Sequence, residues 1–187
     1  MKNPYDYLFN GVCFVFIDLR FLGIADTDIL PDFIGYLFFA FGIHMLPSFH
    51  NIKRWSKNFA IILAVLSFFV ELDQWLGYKM LGEIGVQFIQ FLFIVFMYVV
   101  FQLLLHIHKN KPLEAKTFKT YQKFIAFMLC GFVIQSFSIN IDASMRENVH
   151  FIGSVLQLLA YFYFLFYFQA CYKYYKEINE NKVHSLK

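Results

Sequence analysis

The stretch DLRFLGIADTDILPDFIGY, Asp18 to Tyr36, decides how the rest of the chain is read. It places five charged residues (Asp18, Arg20, Asp26, Asp28 and Asp32) between two runs too apolar for water. That pattern predicts the outer turn of a membrane hairpin. Asp28 is positioned to cap the second helix, and Pro31 to open it in the first turn, where a missing N–H costs little. Asp32 adds negative charge at the positive end of the helix dipole. Asp18 and Arg20, two residues apart, point to different faces of a helix and need partners elsewhere.

The composition agrees. Of 187 residues 59% are hydrophobic and 27 are Phe, while only 16% are charged, against roughly 25% charged in soluble domains. A fold this small has too much surface to hide so many large apolar side chains from water. The chain reads as one integral membrane domain over residues 1–187. Six runs approach the roughly 17–25 residues that a transmembrane helix needs: 5–22, 29–47, 58–75, 84–106, 123–141 and 149–172. The expected fold is all-α, a polytopic bundle of six spans arranged as three hairpins. Short acidic connections alternate with longer basic ones. Gly23-Ile24-Ala25 offers a signal-peptide cleavage site, but a weakly basic start and the charges of Asp18 and Arg20 argue for a retained first span.

Orientation follows from the basic residues. Thirteen of the 16 Lys and Arg fall on one side, leaving Arg20, Lys79 and Arg146 on the other. The positive-inside rule then makes both termini cytoplasmic. Trp75 and Tyr78 mark the outer interface, and Tyr5, Tyr7, Trp55, Tyr121, Tyr172, Tyr174 and Tyr175 the inner one, where amphipathic rings favour the headgroup level. An Ile-Gly pair opens the second helix of each hairpin (Ile34-Gly35, Ile84-Gly85, Ile152-Gly153), a faint threefold repeat.

The run Asp28-Ile29-Leu30-Pro31-Asp32-Phe33-Ile34-Gly35-Tyr36, preceded by Phe16-Ile17-Asp18-Leu19-Arg20, resembles a family of small, uncharacterised integral membrane proteins of Firmicute bacteria. The likeness covers roughly residues 8–45. It implies a bacterial membrane protein and transfers no mechanism. In size and topology alone, the chain is also similar to the substrate-binding subunits of energy-coupling-factor vitamin transporters. The alanine-spaced face with which those subunits meet their coupling partner is not evident in the first span.

Two groups of residues merit attention as sites. An outer polar cluster of Asp18, Arg20, Asp26, Asp28, Asp32 and Glu71 would suit a cation or a polar ligand, since hard cations take several carboxylate oxygens. Solvated loop charges and helix caps account for the same residues more simply. Inside the spans lie Gln87, Gln90, Gln135 and Gln157, which would line a cavity or, more often in membranes, bond helix to helix. His106 and His108 do not share a helix face and read as part of a basic run against anionic lipid. Cys13, Cys130 and Cys171 are isolated within apolar runs and read as small buried side chains.

No metal spacing, phosphate loop, nucleophile–base grouping or HExxH pattern occurs, and no cofactor is implied. The dispersed basic residues do not suggest nucleic acid. The expected partners are the bilayer, anionic lipids at the cytoplasmic face and a membrane-protein partner. The function class is a non-enzymatic accessory, sensor or assembly component. A small transport subunit is the alternative, and a membrane enzyme ranks last.

Overall fold

The computed structural model describes residues 3–16, 31–47, 51–76, 82–108, 111–138 and 141–184. Among these the chain is helical, in six helices: α1 (Pro4–Phe16), α2 (Asp32–Met45), α3 (Asn51–Trp75), α4 (Gly82–Ile107), α5 (Lys111–Ser138) and α6 (Ala143–His184). Each helix packs on the next in sequence, and α6 returns to pack on α1, so the six close into a ring. Successive helices run in opposite directions. Tyr5, at the start of α1, meets His108 just past α4 and Tyr175 late in α6. At the far end Phe33, opening α2, meets Glu71 near the end of α3. The first end also carries Lys53, Arg54, Lys57 and Lys111, and the second Asp32, Glu71, Asp142 and Glu147; we call them the basic and acidic ends.

Local chemistry sets the helix boundaries. Asn3 accepts the backbone N–H of Tyr5 on its Oδ1 at 3.0 Å, and Pro4 fills the first helical position, where no donor is needed. α2 starts after Pro31, which is itself the N-cap, with extended backbone and no side-chain cap. Pro31 therefore precedes the first turn instead of lying within it. Asp28 lies outside the described residues, as do Asp18, Arg20 and Asp26. At its other end, α2 hands the carbonyl of Leu46 to Lys53 Nζ at 2.6 Å, a cation at the negative end of the dipole.

Two basic connections are shorter than the sequence suggested. α4 and α5 are separated by residues 108–110 alone, and the lysine-rich segment expected as a loop forms the first turns of α5. α3 likewise starts at Asn51, ahead of the expected 58. Lys, Glu and Ala are strong helix formers, so the backbone ladder runs on past the apolar segment. Among the described residues three helices are long and apolar enough by length and composition to cross a membrane: Asn51–Asp73, Gly85–Ile107 and Met145–Glu177. Asp32–Met45 is apolar but shorter. The first half of α5 carries Lys116, Lys119 and Lys123.

The ring is filled by aromatic side chains. Phe96 meets Phe39 of α2 at 5.3 Å and Phe59 of α3 at 5.8 Å between ring centroids. Phe101 meets Phe124 of α5 and Phe164 of α6 at 5.5 and 5.1 Å. Most of these pairs are edge-on or tilted, the arrangement that the ring quadrupole favours. Two crossings are closer than side chains allow. A Cβ on Gly35 would lie 2.8 Å from the carbonyl oxygen of Gly11, and one on Gly131 would lie 2.8 Å from that of Gly153. Thus α1–α2 and α5–α6 each touch backbone to backbone, as small residues permit in membrane bundles. Two of the three Ile-Gly glycines make such crossings. α3 has no glycine to set against the third, Gly85, which is half-buried.

Candidate functional site

Among the described residues three polar groupings interrupt the apolar interior. The most buried lies at the basic end, and the sequence reading missed it. His108 follows the last residue of α4, donates its backbone N–H to Leu104 O at 2.9 Å and is 1% exposed. Its Nε2 is 2.7 Å from the Tyr5 hydroxyl, and its Nδ1 is 3.2 Å from both Thr117 Oγ1 and the Tyr167 hydroxyl. Thr117 donates to Leu113 O at 2.7 Å and lies 2.9 Å from the Tyr167 hydroxyl. The cluster joins α1, the end of α4, α5 and α6.

Donor and acceptor counting assigns the tautomer. Thr117 spends its proton on Leu113, so its oxygen must accept. A proton on Nδ1 serves Thr117 and Tyr167, Tyr167 donates to Thr117, and Tyr5 donates to the lone pair on Nε2. Every hydroxyl is then satisfied by a neutral ring. Burial holds His108 in that form and lowers its pKa from 6.5 to about 4, because charging it would desolvate an ion. Chemically this is a fixed hydrogen-bonded joint. The Asn3-Pro4 start signal places Tyr5 one residue into α1, but no local pattern announces a partner 103 residues away.

At the acidic end Glu71 is 8% exposed. Its Oε1 accepts from the Phe33 backbone N–H at 3.3 Å and from Ser67 Oγ at 3.1 Å. A carboxylate from α3 therefore sits at the N-terminus of α2, where free N–H groups and the dipole favour it. Asp32 opens α2 one residue before Phe33, which places it beside Glu71. Tyr36, one turn further along α2, is buried. Of the expected outer cluster, the structure brings together Asp32 and Glu71; Asp18, Arg20, Asp26 and Asp28 lie outside the described residues. Asp142 is exposed.

The third grouping centres on Gln135 of α5. Its Oε1 accepts from Gln90 of α4 at 2.9 Å and from Gln157 of α6 at 3.1 Å, while its Nε2 donates to Ser154 at 3.2 Å. These bonds lie beside the Gly131–Gly153 crossing, where a Cβ on Gly153 would be 2.7 Å from Gln135 Cγ. Gln87, one turn before Gln90, is half-buried and takes no part. The glutamines bond helix to helix. Side-chain bonds between packed apolar helices average about 0.6 kcal/mol where they have been measured, in a membrane bundle, so Gln135→Leu is expected to cost about 2 kcal/mol and Gln90→Leu about a third of that. Thermal unfolding of detergent-purified variants reads the difference.

Among the described residues no group of three His, Cys, Asp or Glu is placed to hold a metal ion. Cys171 is buried beside Tyr167, Cys13 is half-buried and Cys130 exposed. Compared with protein-family models, with curated proteins and with solved structures, the chain matches none.

Proposed function

We propose that the chain is a six-span integral protein of a bacterial cell membrane, with both termini cytoplasmic. It works without enzymatic chemistry, as an accessory, sensor or assembly component. The observation that carries this reading is that the bundle is apolar on its outside as well as within. The interior is closed by aromatic side chains, with Phe39, Phe96, Phe101, Phe124 and Phe164 at zero exposure. The exterior presents Phe41, Phe137, Phe151 and Phe166 at 60–64% exposure. Soluble proteins do not display apolar surface on that scale, and lipid accommodates it. The three polar groupings inside are joints between helices, which suits a rigid scaffold for protein or lipid contacts.

α5 is the helix that decides the span count. Its apolar half is short, but Lys123 can extend its stem along the helix and keep its charge at the headgroups. The near-continuous α5–α6 packing and the Lys and Arg asymmetry support its crossing.

A second reading is a small transport subunit that takes a small molecule or cation from the outer side. The placing of Asp32 and Glu71 together at the start of α2 favours it. Gentle detergent extraction of carboxy-terminally tagged protein, followed by mass spectrometry, separates the two. The accessory reading expects a stoichiometric membrane-protein partner and no ligand. Co-purification of ATPases, or of a tightly held small molecule, would overturn it in favour of transport.

A further inference from the structure

Between the first turns of α5 and the body of α6 lies a groove of about 300 Å³, lined by Pro112, Ala115, Lys116, Lys119, Thr120, Lys123 and Tyr163. The three lysines sit at i, i+3 and i+7 and so share one helical face. No carboxylate is in the lining; Glu114, though close in sequence, is not part of it. Lys123 Nζ stands 4.7 Å above the centre of the Tyr163 ring, a cation–π contact that holds the ammonium over the groove. Pro112 brings the groove to the amino-terminal turn of α5, whose dipole adds to the positive field. These features together suit a phosphate group.

The surroundings select which phosphate. Tyr163 stacks on Phe127 at 5.8 Å, and one turn further from the lysines Leu159 is exposed at 41%. The basic groove therefore continues into an apolar strip of α5 and α6, as the headgroup and acyl chain of one molecule would require. A soluble anion has no use for that strip. We propose that this groove is a binding site for the phosphate headgroup of an anionic phospholipid, with an acyl chain along Phe127 and Leu159. The inference rests on α5 and α6 lying in the bilayer, and it assigns a defined site where a general preference for anionic lipid would spread over every basic segment.

The test is thermal unfolding of the full chain in a neutral maltoside detergent, titrated with phosphatidylglycerol, phosphatidylcholine or inorganic phosphate. Phosphatidylglycerol is expected to raise Tm saturably, and the other two to leave it unchanged. Each lysine replaced, for example Lys119→Gln, should weaken the titration about fivefold, in line with the attraction of a single Lys to an anionic lipid surface. Lys116→Gln/Lys119→Gln/Lys123→Gln should abolish the shift, whereas Arg54→Gln/Lys57→Gln/Lys173→Gln, which removes the same charge elsewhere, should keep it. If the first triple variant does not fold, the single variants decide. A shift lost equally in both triple variants, or equal with phosphatidylcholine, would overturn the site. The same shift with inorganic phosphate would assign it to a soluble anion and overturn the lipid. Recovery of the protein from cells without detergent would instead contradict the membrane reading beneath it.

Discussion

Replacing His108 with Phe is expected to cost about 2 kcal/mol of stability near neutral pH and to remove the loss of stability that His108 causes between pH 6.5 and 4. The ring volume is kept, but the Tyr5 hydroxyl loses its acceptor and Thr117 and Tyr167 lose a donor, all at buried positions. Tyr5→Phe alone should cost about 1 kcal/mol in the parent and little in the His108→Phe background, since their bond is then already gone. The pH dependence has a fixed sign. The folded pKa of His108 is depressed to about 4, so between pH 6.5 and 4 the unfolded chain binds a proton that the folded chain refuses. Stability is therefore complete above pH 6.5 and falls as the pH drops through that window, by up to about 3 kcal/mol. Unfolding of both proteins measured from pH 8 to 4 checks this. Parallel curves would contradict the account of the joint.

Gly35→Val is expected to abolish the folded, monodisperse protein or to lower its stability by about 3 kcal/mol. Even a single Cβ would lie 2.6 Å from Val15 Cγ2 and 2.8 Å from the Gly11 carbonyl oxygen. Side chains at the contact can shift, but the second obstacle is the backbone of α1, held along its length by α2. Gly42, two turns on, presses α2 against Leu8 and the Pro4 carbonyl in the same way. Gly35→Ala should also destabilise, although Ala gains about 1 kcal/mol in helix propensity over Gly. Ala126→Leu, on an exposed position of α5, should stay within about 0.5 kcal/mol. Size-exclusion profiles and melting temperatures in detergent distinguish these cases. A normal Gly35→Val would mean that α1 and α2 do not cross where the structure places them.

The helical class and the order of the six helices were legible because apolar runs of that length leave the backbone few other ways to satisfy its hydrogen bonds. Helix ends were less legible. The sequence alone suggests a loop for the first half of α5 because lipid length ends a span, yet nothing in Lys, Glu or Ala ends a helix. The polar joints divide in the same way. Ser67 and Glu71 are four apart and their bond is local, but the placing of Glu71 at the start of α2 depends on how α3 leans. Gln90, Gln135 and Gln157 stood out as polar residues among apolar ones, while their meeting at one amide did not. Tyr5 looked like an interface anchor and His108 like part of a basic run. Each is buried by the other, a pairing made by ring closure between α1 and α6 that no window of sequence contains.

In the proposed six-span bundle every helix crosses the bilayer, and α5, with its short apolar half, is the helix that tests this. If only the three long apolar helices crossed, α5 would stay on the cytoplasmic side and the α5–α6 connection with it. Asp142, exposed in that connection, therefore discriminates. The measurement is labelling of Asp142→Cys, with Cys13, Cys130 and Cys171 replaced by Ala, by an impermeant thiol reagent added to intact cells. The six-span bundle predicts labelling from outside. Labelling only after the cytoplasmic face is opened would contradict it.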